Sequence, residues 1–205
     1  MYTPAHFAAD DEFSSAFLEG VEAGDLVVAT SQGLVATYLP VLYDREGNRF
    51  LAHMARNNEQ WRLDPQGEAL LILHGPDGYV SPTWYQAKAE THRVVPTYNY
   101  VTAHVYGSLE VHDESPWVED MVRRLTARHE QRRSPAWSPD DAPADFIAGQ
   151  LRAIVGLELR ITRVEVKNKM SQNRPDTDVD GIVRGFTDDA LPDLAERVRA
   201  SRPPR

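Results

Sequence analysis

Apolar and polar side chains alternate most cleanly between Tyr98 and His112. Val101, Ala103, Val105, Leu109 and Val111 point one way, and Thr102, His104, Tyr106, Glu110 and His112 the other. That period of two predicts a half-buried strand. Before it, Asp10 or Asp11 is placed to cap a helix with Phe13, Phe17, Leu18 and Val21 on one face and Gly24 as its stop. Leu26–Thr30 and Leu34–Leu42 are apolar and β-branched, joined by Ser31-Gln32-Gly33, which predicts a hairpin. Pro40 cannot donate to a ladder, so it is expected at an edge or bulge. A turn at Asp44–Asn48 leads to a strand over Arg49–Met54, a helical turn before Pro65, and a strand over Glu68–His74 that ends at Gly75-Pro76.

Beyond His112, Val118, Met121, Val122 and Leu125 recur at helical spacing and predict an amphipathic helix over Trp117–Arg133. A Pro/Ser/Asp loop over Ser134–Pro143 separates it from a second helix near Ala144–Val155. In Leu157–Lys167 the apolar positions are odd up to Ile161 and even from Val164, so a bulge near Thr162 is expected. From Pro175 an acidic, turn-like stretch is expected, then a helix over Leu191–Ala200 and a polar, frayed SRPPR end. Six or seven strands linked mostly by short turns, with helices at the start, middle and end, predict a closed or nearly closed antiparallel β-barrel decorated with helices. A doubly wound α/β sheet is disfavoured, because strands and helices do not alternate.

The totals narrow the function. At 205 residues the chain fits one domain, and 41% hydrophobic and 26% charged residues are ordinary for a globular protein. A net charge of −9 argues against wholesale adhesion to nucleic acid. Zero cysteines remove disulfides, thiolate nucleophiles and cysteine-ligated metals. No apolar run approaches the roughly 20 residues of a membrane span, and acids stand where a secretory signal would be basic and apolar. The expected location is cytoplasmic, with no membrane partner.

No G-x-G-x-x-G follows a strand, and no G-x-x-x-x-G-K-[ST] or G-x-S-x-G occurs. The seven histidines show no metal-ligand spacing. What remains is a set of polar and aromatic residues at strand ends. Gly75–Gly107 holds five of the eight tyrosines and three of the fourteen prolines. An aromatic loop stiffened by proline beside a sheet suits a planar ligand at a barrel rim, and equally suits a loop that packs on itself. Trp84, Tyr85, Tyr98 and Tyr100 offer faces for stacking or for core packing. Lys169, Ser171, Gln172, Asn173 and Arg174 follow the last strand. Two cations, a hydroxyl and two amides there complement an anion and a hydrogen-bonding ring edge, or form a solvated connector. His53-Met54-Ala55-Arg56 ends another strand, where Arg56 offers a bidentate phosphate contact.

Seven motifs together carry a resemblance that runs nearly end to end: MYTPAHF at 1–7, ATYLPVL at 36–42, AHMARNNEQW at 52–61, GPDGYVSPTWY at 75–85, VPTYNYVTAHVYG at 95–107, AIVGLEL at 153–159 and KMSQNR at 169–174. By these the chain resembles the PaiB-like FMN-binding negative transcriptional regulators. Tyr98 stands where a tryptophan is also familiar, a swap that preserves an aromatic face. The resemblance implies a single FMN-binding split β-barrel domain over 1–205, with a helical extension over about 175–205. It also implies a homodimer with flavin at the subunit interface, and repression of sporulation and degradative-enzyme genes, with DNA a partner through the family alone.

On that footing the phosphate is expected near Arg56 and Lys169 or Arg174, helped by Ser171. The pyrimidine edge is expected at the backbone of Thr37, Tyr38 and Leu39 and at Gln172 or Asn173. Trp84, Tyr98 or Tyr100 would cover the ring, with His53, Met54 and Asn99 counted among the contacts. Two alternatives stand beside this reading: a flavin oxidoreductase using NADH or NADPH, and a binder of another planar molecule such as haem. The arginines of the 117–133 helix are a candidate DNA face, although Glu119, Asp120 and Glu130 dilute their charge.

Overall fold

The computed structural model describes Met1–Arg202, and the last three residues of the expected frayed end lie outside the described residues. Six strands run β1 (Ala23–Thr30), β2 (Gly33–Asp44), β3 (Arg49–Ala55), β4 (Ala69–Val80), β5 (Thr97–His112) and β6 (Ile154–Lys169). They close into an antiparallel barrel in the order β1-β2-β3-β6-β5-β4. The helices are α1 (Asp11–Gly20), α2 (Gln86–Thr91), α3 (Ser115–Glu130), α4 (Ala144–Arg152), α5 (Asp176–Asp188) and α6 (Pro192–Ala200). None in the described chain is long and apolar enough to cross a membrane. The chain forms two compact units: one of Ala16–Leu73 and His104–Val164, the other of Met1–Ser15, His74–Ala103 and the chain from Glu165.

The first unit holds most of the barrel. The hairpin appears as expected, with Thr30 opposite Gly33, whose φ of 113° only glycine adopts at no cost. Pro40 lies opposite Ala23 in the last registered pair of β1 with β2. Gly24 does not stop α1, which ends at Gly20; it sits inside β1, where an added Cβ would fall 2.6 Å from the Ile72 carbonyl oxygen. The glycine serves a close approach of strands rather than a helix end. Leu26, Leu39, Val41, Phe50, Leu71, Leu157 and Leu159 fill the interior and leave a void of only about 10 Å³. That is scarcely room for one water, so a ligand has no place inside this part of the barrel.

Helix α3 lays Met121 and Leu125 on Leu42 and Leu51. Trp117 fits against Gly156, where a Cβ would lie 2.2 Å from the indole, and stacks on His112 at 3.9 Å. The alternation read for β5 holds to Leu109, which lines the barrel interior, and then slips. Val111 is exposed, while His112 turns inward to Glu158 at 3.2 Å. Gly107, ahead of the slip, allows a close approach of strands, since a Cβ there would meet the Arg160 carbonyl oxygen at 2.1 Å. In β6 the neighbours Thr162 and Arg163 are both exposed, which breaks the alternation where the sequence changes phase.

In the second unit, two expectations are corrected. β4 does not end at Gly75-Pro76 but continues to Val80. The stretch after Pro175 is not turn-like but forms α5, burying Val179, Ile182, Val183 and Phe186. Asp176 and Asp178 in its first turn face the positive end of the helix dipole, so acids that depress helix propensity elsewhere favour this terminus. Gly181 and Gly185 then cut a notch for Trp84, where a Cβ would come within 1.8 Å of its carbonyl oxygen and 2.1 Å of its ring.

Candidate functional site

The expected contacts fall into two sets, one in each unit. In the barrel unit, β2 pairs with β3 only from Val41 onward, so the stretch bearing Thr37, Tyr38 and Leu39 extends past that ladder. Leu39 and Met54 are buried core residues and could offer a ligand only backbone groups, whereas Tyr38 is 67% exposed. Thr37 Oγ1 donates to Gln60 Oε1 and accepts from Asn58 Nδ2 at 3.0 Å. Gln60, itself buried, donates to the carbonyl of Leu26 at 3.1 Å. The amides of the ARNNEQW motif therefore fasten the 56–62 turn to the hairpin, a structural duty that spacing alone does not announce.

His53 has a buried Nδ1 with no hydrogen-bond partner among the described residues, and burial lowers its pKa, which favours the neutral ring. Arg56 is heavily engaged. Its Nε donates to Arg152 O at 2.7 Å, one terminal nitrogen to Ile154 O at 3.0 Å, and the fork meets Asp113 at 2.5 and 3.1 Å. The Arg56 hydrogen bonds hold the Asp113 carboxyl below its usual range. An anion at Arg56 would compete with this bidentate pair, so the arginine as folded is a clasp between β3 and the start of β6.

The second unit carries the KMSQNR bend. Lys169 ends β6, and its ammonium donates to Thr97 Oγ1 at 2.7 Å and Tyr98 O at 2.5 Å. Three donors with two used leave one N–H without a partner among the described residues. Burial first, and the neighbouring Lys167 second, lower the Lys169 pKa, which marks a place where a negative charge would be welcome. Both lysines flank the Tyr100 ring, at 5.3 and 5.6 Å from its centroid. Ser171 sits at φ 65° and donates to Asn99 Oδ1 at 2.9 Å; both residues are buried, and Asn99 Nδ2 has no partner among the described residues.

Other members of the set are occupied. Gln172 braces its own turn, accepting from Met170 N at 2.7 Å and donating to Asn168 O at 2.5 Å. Arg174 lies over the Tyr85 ring at 4.7 Å, and burial raises the Tyr85 phenol. Asn173 is exposed. Trp84 meets Phe186 edge-on at 5.1 Å in the α5 notch, while Tyr98, 48% exposed, anchors its hydroxyl on Asp77 at 2.6 Å.

The structure thus brings Lys169, Tyr98, Tyr100, Asn99 and Ser171 together. These groups fit a phosphorylated aromatic ligand in kind: an open ammonium donor, an unpaired buried amide N–H for an acceptor, and aromatic faces. Sequence reading missed Thr97 and Lys167. The period-two spacing of Lys167 and Lys169 was the available signal for the second lysine.

Comparison with known proteins identifies the family and the fold. Residues 1–163 match the family described as "Putative FMN-binding domain". The chain is 28% identical over 202 residues to "Protease synthase and sporulation protein PAI 2" of Bacillus subtilis, covering 96% of this chain and 94% of that one. It is 31% identical over 161 residues to an uncharacterized protein of Emericella nidulans, covering 65% and 64% of the two chains. Among solved structures it resembles the flavocytochrome Anf3 of Azotobacter vinelandii, with TM-score 0.56 and 15% identity over 78% of this chain and 67% of that one. It also resembles the FAD and heme binding protein of Mycobacterium smegmatis, with TM-score 0.57 and 16% identity over 86% and 78%. At such identities the structural likeness speaks for the fold, a split β-barrel. A family match over most of the chain decides the membership: this chain belongs to the FMN-binding-domain family.

Proposed function

We propose that the chain is an FMN-binding protein that works as a homodimer, the whole chain acting as one functional domain with the helices after Pro175 as its extension. The observation that carries the ligand is Lys169. A partly buried ammonium retains an open donor beside Lys167, the Tyr100 ring and the unpaired Asn99 amide. We assign the phosphate to Lys169, helped by Ser171, and the stacking face to Tyr98 or Tyr100. Bound flavin would supply hydride or electron chemistry of its own; the chain's part is to hold and orient it. Arg56, clasped by Asp113, would reach an anion only by giving up that pair.

The dimer rests on a separate observation in the barrel unit. Leu34 and Tyr38 are 78% and 67% exposed on β2, and Ala36 and Pro40, also exposed, share their side of the strand. Val27 lies opposite Ala36 on β1. An uncovered apolar sheet face of this kind is characteristic of an interface.

A role in transcriptional repression, as the family resemblance implies, is the regulatory part of the proposal. The arginines of α3 give it little direct support. Arg123 pairs with Asp140 and Glu119, Arg124 with Asp44, and Arg128 with the carbonyls of Glu19 and Val21. An absorbance spectrum of the purified protein, followed by FMN titration of the apo form, tests the ligand. No flavin spectrum and no saturable FMN binding would end the proposal. A mobility shift on upstream DNA at low salt tests the regulatory part, and its absence would remove that part alone.

A further inference from the structure

The second unit contains a cleft of about 460 Å³ between the segment leading into α1 and the last turn of α6. Its volume lies in the range of small-molecule sites. It is lined in part by Asn168, Gln172, Arg197 and Ser201, all beyond residue 163, where the family match ends. Nothing in that match assigns it a ligand.

Three groups in the lining define a chemistry. Arg197 places its guanidinium over the Phe13 ring at 5.1 Å and has no carboxylate within ion-pair distance among the described residues. Its neighbours differ, since Arg199 pairs with Glu196 and Arg202 with Asp180. Asn168 is only 8% exposed; its Nδ2 donates to Ser201 Oγ at 3.0 Å, while Oδ1 is buried with no partner among the described residues. Asp10 contributes a carboxylate whose Oδ1 accepts from Phe13 N at 2.8 Å, capping α1, and whose other oxygen has no hydrogen-bond partner among the described residues. A guanidinium fork asks for a carboxylate. An unpaired amide oxygen and an aspartate in the same lining ask for a cationic donor. Phe13, Ala8, Ala9 and Ala200 supply apolar surface between them.

We infer that this cleft is a binding site for a free α-amino acid with an apolar side chain. The carboxylate meets Arg197, the ammonium meets Asn168 Oδ1 and Asp10, and the side chain lies along Phe13. Gln172 forms one wall with the same side chain that braces the bend after Lys169, so occupancy is positioned to steady that bend.

The test is isothermal titration of the full chain, freed of flavin, with three probes. They are L-leucine, 4-methylpentanoate, which lacks the ammonium, and isoamylamine, which lacks the carboxylate. L-leucine is expected to bind saturably, and each analogue at least about tenfold more weakly, the scale of one lost ionic contact. Arg197→Gln, on a partly exposed helix face, is expected to keep the far-ultraviolet spectrum and lose at least about tenfold in L-leucine affinity. Asn168→Leu should weaken L-leucine while leaving 4-methylpentanoate unaffected. The inference is overturned if L-leucine does not saturate, if either analogue matches it, or if folded Arg197→Gln binds as wild type. Because no flavin is present, each outcome is independent of the FMN proposal.

Discussion

Replacing Lys169 with methionine is the sharpest probe of the proposed phosphate contact. Methionine retains an unbranched apolar stem, so the change removes the charge and three donors with little loss of volume. In the structure two of those donors hold Thr97 Oγ1 at 2.7 Å and Tyr98 O at 2.5 Å, and the third is open to a ligand. A charge-assisted hydrogen bond contributes about 1.5–3 kcal/mol. Lys169 is only partly buried, so screening reduces this to about 1–2 kcal/mol, or about 5- to 30-fold in affinity. The assay is fluorescence titration of apo protein with FMN and with riboflavin, the same ring without its phosphate. Wild type should prefer FMN by about that factor, and Lys169→Met should lose FMN affinity while binding riboflavin nearly unchanged. Equal losses for both ligands would mean that Lys169 shapes the bend rather than grips the phosphate. No loss for either would place the phosphate elsewhere and refute the reasoning.

The same lysine carries a pH signature. Its folded pKa is lowered, chiefly by burial, so between that value and the ordinary 10.5 the unfolded chain binds more protons. Stability contributed by this group therefore rises with pH through that window, and Lys169→Met should flatten the rise in alkaline denaturant melts. His53 behaves alike lower down: burial lowers its pKa from 6.5, so stability falls as pH drops through about 6.5 and below, an effect that His53→Phe should remove. Arg49→Met leaves buried Glu158, 2.9 Å away, to the more exposed Arg160 and to His112, and should cost about 3 kcal/mol by urea unfolding. Arg49→Met combined with Glu158→Leu should recover most of that loss; failure to recover would show that the pair is not the source. Gly181→Ala forces a methyl to within 1.8 Å of Trp84 O and should destabilise by about 1–3 kcal/mol despite its better helix propensity, as thermal melts would show. Leu34→Asp with Tyr38→Asp should convert a dimer to a monomer in sedimentation, and an unchanged mass would move the interface off this face.

What the sequence revealed and what it hid divide along a physical line. The hairpin, β5 and α3 were legible because each keeps a period of 2 or 3.6 in the residue order, and β3, buried on both faces, because it is a short apolar run bounded by turn residues. α5 was hidden because its pattern of Val179, Ile182, Val183 and Phe186 is diluted by five aspartates and two glycines between Asp176 and Asp189. Those residues answer to tertiary contacts, namely Ala87 N on Asp178 at 3.0 Å and Trp84 in the glycine notch. The same distinction governs the candidate site. Residue type nominated Lys169 and Arg56 equally, since both are cations at strand ends. Only geometry separates them, because Asp113 occupies the fork of Arg56, while the lowered pKa of Lys169 reflects burial beside another cation. A cation already matched by a carboxylate stabilises the scaffold, and one left partly buried without a carboxylate is where a fold keeps room for an anionic ligand. Lys169 and Arg197 both meet that criterion among the described residues, and their proposed ligands, one phosphorylated and one a carboxylate, should not compete.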